Sequence, residues 1–166
     1  MSKNELQKIF DNTPVKSYRE KIKYIEDYLV SVADGVNVVG NNKELVYPDF
    51  WEYKHSFADG IYIREMRMKK GQLVFSAIHK HSYGFFLLSG LLQSSKEDGV
   101  EEFIAPCYII SPQGAKRIVY AAEDCVIVTV HANPTNTQDL DELAKINVVF
   151  DWDDYEEYLK SKKWKY

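Results

Sequence analysis

No run of about 18 consecutive apolar residues occurs in this 166-residue sequence, so no segment reads as a membrane span. The first twelve residues, MSKNELQKIFDN, lack the apolar stretch of a secretory signal, and a cytoplasmic location is expected by default. Cysteine is scarce. Cys107 and Cys125 are the two present, both among apolar neighbours, without the Cys-x-x-Cys spacing of a metal site. They read as buried free thiols. Cationic excess is absent as well: the formal net charge is −4, and no nucleic-acid partner is expected. Gly-x-Ser-x-Gly, a phosphate-cradling glycine loop and His-Glu-x-x-His are all missing, so no familiar nucleophile or zinc motif is available.

What is plentiful is aromatic side chain. Aromatics make up 14% of the residues, with twelve tyrosines, and 45% of the chain is apolar, enough for one domain with a core. Tyrosine suits both β-strands and ligand pockets, because it joins a flat apolar body to a polar tip.

Periodicity divides the chain in three. Residues 3–10 suggest a short helix. Ser17 with Glu20 three residues on forms a capping box, and Tyr18, Ile22, Ile25, Leu29 and Val32 then recur at helical spacing up to Asp34-Gly35. That helix is expected on the outside of the main body. Residues 44–54 have strand composition interrupted by Pro48, which places them at a sheet edge. From residue 60 the chain reads as strands near 60–68, 72–80, 84–94, 99–104, 106–111, 115–121 and 124–131, with turn residues between them. Seven short strands so spaced predict an antiparallel sandwich or barrel. Thereafter Thr137 is expected to cap a helix over 138–145, 147–152 to be extended, and a last helix to start at Asp153. The organisation expected is an N-terminal helical extension with an edge strand (1–54), a β-barrel (55–135) and C-terminal helices (136–166).

Residues 71–90, GQLVFSAIHKHSYGFFLLSG, run strand, His-x-His, strand and glycine, and this resembles the first sequence motif of the cupins. Residues 111–117, SPQGAKR, resemble their second motif, with Arg117 where a histidine is usual. The sequence is most similar to small cupin-like proteins of bacteriophage and prophage genomes, over HSFADGIYIRE (55–65), 105–117, EDCVIVTVH (123–131) and TQDLDEL (137–143). The resemblance implies a mainly β chain: a single cupin-type antiparallel jelly-roll barrel with flanking N- and C-terminal helices, often paired as a homodimer.

Candidate site residues follow from strand alternation together with this resemblance. On 124–131, Cys125, Ile127, Thr129 and His131 share the more polar face, expected to line the cavity; Leu73, Phe75, Ala77, His79 and His81 share a face likewise. In the cupin arrangement His79, His81 and His131 converge, and three neutral imidazoles hold Fe(II), Mn(II), Ni(II) or Zn(II) with positions left open. His55 is a further candidate imidazole. The glutamate of the general cupin site is replaced by Tyr83 or a neighbour and its last histidine by Arg117, which argues against a divalent ion. The remaining pocket is expected to bind a ligand through Tyr62, Arg64, Tyr83, Arg117 and Thr129, with Lys80 and Lys116 as further cations near its mouth. The leading expectation is a phage-type, non-catalytic protein that binds a small molecule or a host protein. The alternatives are a metal-dependent dioxygenase or isomerase using one divalent ion, and a structural accessory protein.

Overall fold

The computed structural model describes residues 4–32 and 52–163. Its centre is two antiparallel sheets facing each other. Strands β1 (Glu52–Ala58), β2 (Gly60–Met68), β5 (Tyr83–Ser89), β8 (Cys107–Ser111) and β10 (Cys125–Asn133) form one sheet in the order β1-β2-β10-β5-β8. Strands β3 (Leu73–Phe75), β6 (Leu91–Lys96), β7 (Gly99–Ile104) and β9 (Ile118–Ala121) form the other in the order β3-β9-β6-β7. The chain crosses between the sheets six times, after β2, β3, β5, β7, β8 and β9, and this alternation makes the barrel a jelly roll. Two further short strands, β4 (Ile78–His79) and β11 (Val148–Val149), pair with one another.

Alternation along β10 decides which face is inside. Cys125, Ile127, Thr129, His131 and Asn133 are buried, and the residues between them are not. Register then stacks the inner face into layers. Met66, Ile127 and Leu87 lie opposite one another across β2, β10 and β5; Arg64, Thr129 and Phe85 form the next layer, and Tyr62 and His131 the one beyond. One end of the barrel is apolar, packed by Met66, Met68, Leu87, Leu92, Ala121 and Ile127. The other end becomes polar, and the cavity lies there.

The strand predicted over 60–68 has the bounds of β2. The one predicted over 84–94 is two strands, because the chain changes sheet at Gly90, whose φ of 89° is left-handed. A Cβ there would collide with the Asp124 carbonyl and approach Cys125 Sγ to 2.8 Å. The strand predicted over 72–80 is also two, β3 and β4, separated at Ser76 and Ala77. Residues 44–51 lie outside the described residues; β1, which follows them, is an edge strand of its sheet.

The helices α1 (Glu5–Asp11) and α2 (Tyr18–Val32) cover the outside of the β3-β9-β6-β7 sheet. Asn4 caps α1, and the Ser17–Glu20 box opens α2, with Glu20 N donating to Ser17 Oγ at 3.3 Å and Ser17 N to Glu20 Oε2 at 3.3 Å. Leu6, Phe10, Ile22 and Ile25 pack on Phe75 and Ile118, so the apolar stripe read from sequence is spent on the barrel wall. The end expected for α2 at 34–35 lies outside the described residues. Beyond the barrel come α3 (Leu140–Asn147) and α4 (Trp152–Lys163). The cap of α3 is Asp139, whose carboxylate accepts from Asp141 N and Glu142 N, rather than Thr137. Thr137 is held instead by Asn133, through Asn133 Nδ2 to Thr137 O at 2.9 Å and Thr137 N to Asn133 Oδ1 at 3.1 Å. Among the described residues no helix is long and apolar enough to cross a membrane.

Candidate functional site

The polar end of the barrel encloses a cavity of about 110 Å³. Tyr62 and Arg64 reach it from β2, Tyr83 and Phe85 from β5, Ser111 from β8, Thr129 and His131 from β10, and Arg117 from the start of β9. One wall is added by α3 and β11 through Leu143, Ala144, Asn147 and Val148. Tyr62, Arg64, Tyr83, Arg117 and Thr129, separated by up to 67 positions in the chain, therefore face one space together with His79 and His131.

His79 owes its place to β4. Its carbonyl accepts from Gly114 N at 2.8 Å, and Lys80 N donates to Asn147 O at 2.8 Å, so the short strand is clamped between the 112–115 turn and β11. Its ring lies 4.0 Å from the Tyr83 ring and 5.5 Å from the His131 ring, centroid to centroid. His131 in turn stacks on Tyr83 at 4.9 Å and on Tyr62 at 5.8 Å. His55, on β1, belongs to the same row: its Nδ1 is 2.6 Å from the Tyr62 hydroxyl and its ring stacks on Tyr62. It serves Tyr62 as a hydrogen-bond partner in the middle of a strand.

The expected triad does not assemble. His81 points away from the cavity and meets Tyr158 of α4 edge-on, with ring centroids 6.3 Å apart. Two positions apart on a strand would share a face, but β4 ends at His79 and the chain bends through 80–82. Among the described residues no three His, Cys, Asp or Glu side chains are grouped to hold a metal ion. The two lysines expected near the mouth are committed elsewhere. Lys116 is buried, with Nζ 2.8 Å from Glu26 of α2 and 3.3 Å from the Phe150 carbonyl. Lys80 donates to the Lys145 carbonyl and lies over the Tyr158 ring.

Burial and positive charge set the protonation of what remains. Burial, reinforced by Arg64, pulls His79 down to about 3, while the Ala115 carbonyl opposes part of that shift. Burial and Arg64 also hold His131 well below the usual imidazole range. Both rings are neutral at physiological pH. Burial raises Tyr83, which keeps the phenol protonated. Among the described residues no carboxylate lines the cavity, and the charged ones that do are Arg64 and Arg117. Arg117 is held by Glu101, from Nη1 at 2.8 Å, and reaches Ser94 Oγ at 3.4 Å.

Among the described residues, four buried side-chain polar atoms lack a well-formed hydrogen bond: His79 Nδ1, Ser111 Oγ, Arg117 Nε and Thr129 Oγ1, with Ser111 near enough to the Tyr83 phenol to oppose part of the rise that burial causes there. All four belong to residues of this one cavity. A buried polar group left unsatisfied costs about 1–3 kcal/mol, and native proteins contain few of them. Four around a single space leave polar groups that the described residues do not satisfy. Ser111 has a register reason for its place. It lies opposite Tyr83 on β8, with Cys107 and Ile109 on the same inner side. Its alternation with exposed Tyr108 and Ile110 is the sequence signal that points to it.

The fold and site define a jelly-roll barrel with a small, polar-ended interior cavity. Several solved structures are similar to it. A cupin-2 domain protein from Shewanella frigidimarina is 17% identical, with 50% of this chain and 81% of that one covered and a TM-score of 0.44. A protein of unknown function from Streptococcus pyogenes is 18% identical, with 60% and 94% covered and a TM-score of 0.44. A protein with a double-stranded β-helix domain from Klebsiella pneumoniae is 20% identical, with 55% and 86% covered and a TM-score of 0.44. No protein-family model matches the sequence, and no curated protein matches it.

Proposed function

We propose that this chain is a non-catalytic, cupin-type protein that takes a small molecule into the barrel cavity. The observation that supports this reading is the set of four unpartnered polar atoms around one space, at the end of an otherwise apolar barrel. Binding sites usually combine an apolar lining with a few convergent polar groups. Nothing in the cavity is arranged for general acid–base work on a bound substrate. Both imidazoles are held neutral far below neutral pH, the phenol is held protonated, and no carboxylate among the described residues lines the cavity to serve as base. The volume limits the ligand. An engineered cavity of about 150 Å³ accepts benzene, so a volume of about 110 Å³ points to a small ligand. The test is a thermal-melting screen of the untagged protein against small polar metabolites. Saturable stabilisation by at least one compound of this size is expected; a flat response across acids, amides, alcohols and amines would contradict the reading.

A cytoplasmic setting and a phage or prophage origin are parts of the same proposal, in which the protein sequesters a small host metabolite. A homodimer is proposed as well. The outer face of the β1-β2-β10-β5-β8 sheet exposes Ile61, Leu88, Tyr108 and Ile110, with Tyr108 at 70% and Ile110 at 65%. Phe86 stacks on Tyr108 there, with ring centroids 5.8 Å apart. Contiguous apolar surface of this kind marks contact surfaces, and the occupant proposed is the same sheet of a second copy; a host protein on that face is the competing occupant.

A further inference from the structure

The cavity grades from polar to apolar along the barrel. Ser111 lies in the layer of Tyr83, and Thr129 one layer deeper, where Phe85 stands between it and Ile109. The next layer down, Met66 and Ile127, belongs both to the cavity lining and to the apolar core. A ligand seated along this gradient meets hydroxyls at its head and aliphatic side chains at its tail.

The buried polar atoms set what the head must offer. Arg117 Nε carries an N–H and only donates. Ser111 and Thr129, 1% and 5% exposed, carry hydroxyls that donate or accept. Ser111 also lies near the Tyr83 phenol, so its demand is the weaker of the two. His79 Nδ1, on a neutral ring, donates or accepts according to tautomer. One obligate donor and three adaptable groups thus belong to residues of the same space.

Charge does not select the ligand. The Arg117 guanidinium is already matched by Glu101 at 2.8 Å, and Arg64 has a partner as well. A neutral head needs no counter-charge and avoids the cost of stripping water from an ion in a buried space. Neutral heads differ in hydrogen-bonding capacity. A ketone offers acceptor positions alone, and a buried group that needs a donor is left unmet. A primary amide offers two N–H donors and a carbonyl oxygen with two acceptor positions. It can therefore meet all four atoms at once.

Resting on the barrel-binding reading above, we propose that the ligand is a short-chain primary amide. Its carbonyl oxygen accepts from Arg117 Nε and Ser111 Oγ, and its NH2 group donates to Thr129 Oγ1 and His79 Nδ1. Its alkyl end points down the barrel toward Ile109 and Ile127. A site built to pair with a ligand N–H discriminates strongly against the analogue that lacks it, because its own buried group is then left unpaired.

The experiment is calorimetric titration of the full-length protein with three compounds of nearly the same shape: propionamide, butanone and sodium propionate, at matched ionic strength. Propionamide is expected to bind saturably at one site per chain, and butanone and propionate at least tenfold more weakly. Thr129→Val keeps the side-chain shape without the hydroxyl. It is expected to lose at least tenfold for propionamide and little for butanone, and Thr129→Ser to restore the amide. Arg117→Lys keeps a cation opposite Glu101 but has no Nε, and is expected to weaken amide and ketone together. Urea midpoints of the three variants read their folding separately. Propionate binding as tightly as propionamide overturns the neutral head, and butanone doing so overturns the donor half of it; barrel binding stands in both cases. Amide affinity unchanged in Thr129→Val places the amide elsewhere and overturns the assignment. If none of the three binds but native mass spectrometry finds a compound of another class carried by the protein, the amide is wrong and barrel binding stands. If none binds and the protein carries nothing, both readings fall.

Discussion

The rings of His79 and His131 are stacked nearly parallel, 8° apart in plane with centroids separated by 5.5 Å. Two imidazoles that share a metal must aim in-plane lone pairs at one point about 2.0–2.1 Å from each nitrogen. Among the described residues no third His, Cys, Asp or Glu is grouped with them to complete such a point. The two histidines most suggestive of a metal centre are thus arranged as packing partners, with Tyr62 and Tyr83 continuing the stack.

The first prediction concerns metal. Protein purified without a histidine tag, then analysed by inductively coupled plasma mass spectrometry, is expected to carry less than about 0.1 equivalent of iron, manganese, nickel or zinc, because two imidazoles with no third ligand beside them among the described residues do not make a divalent site. One equivalent that disappears in a His79→Ala/His131→Ala variant would restore the metal-dependent enzyme as the better account.

Acid stability follows from the same pair. In the folded protein His79 titrates at about 3, against an ordinary imidazole value near 6.5 in the unfolded chain. The unfolded state binds the proton first, so stability is full above about 6.5 and falls as pH drops towards 3. The loss for this group is about 1.4 kcal/mol per pH unit within that window. His131 adds to it in the same direction. The groups facing the pair are Arg64, Arg117 and the protonated Tyr83, none of which changes charge in this range. Urea titrations at pH 7, 6 and 5 are expected to show the midpoint falling, and His79→Phe is expected to flatten the trend. A midpoint that does not move between pH 7 and 5 would show that these rings are not buried as neutral species.

Lys116 and Glu26 join α2 to the barrel through a buried ion pair of 2.8 Å, with the side chains 6% and 13% exposed. Glu26→Gln leaves the ammonium buried without its counter-charge and is expected to cost about 3 kcal/mol. A Glu26→Leu/Lys116→Met variant is expected to recover most of that loss, since it removes both charges and keeps the volume. Chemical denaturation of the two variants checks the order; a double variant as unstable as the single one would mean that the pair is not the relevant term.

The outer sheet face offers a test of assembly. Sedimentation velocity is expected to give a dimer for the natural sequence and a monomer for a Leu88→Asp/Tyr108→Asp variant of unchanged circular dichroism. A natural chain that sediments as a monomer at tens of micromolar would remove the second copy and leave the face to a different partner.

Much of the barrel was legible because period-two alternation is a local signal. The inner set Cys125, Ile127, Thr129 and His131 follows from one strand read alone, as does β2 over 60–68, and the Ser17–Glu20 box follows from spacing. The site was legible only in part. His81 was misassigned because alternation was extended past the end of a strand two residues long. Ser111 owes its position to register with Tyr83, and register between β5 and β8 is a tertiary property. Leu143 and Asn147 line the cavity because β11 pairs with β4, a contact across about 70 positions that no local pattern announces. Lys116 reads as an exposed strand end until α2 brings Glu26 against it.

The central claim is that the polar end of the barrel is a ligand site held open. Its most direct measurement is a high-resolution crystal structure of protein purified without added small molecules. Ordered density inside the cavity, within hydrogen-bonding distance of His79 Nδ1, Ser111 Oγ, Arg117 Nε and Thr129 Oγ1 and too continuous for separate waters, is the expected result. A cavity closed by those four side chains bonding to one another would contradict it.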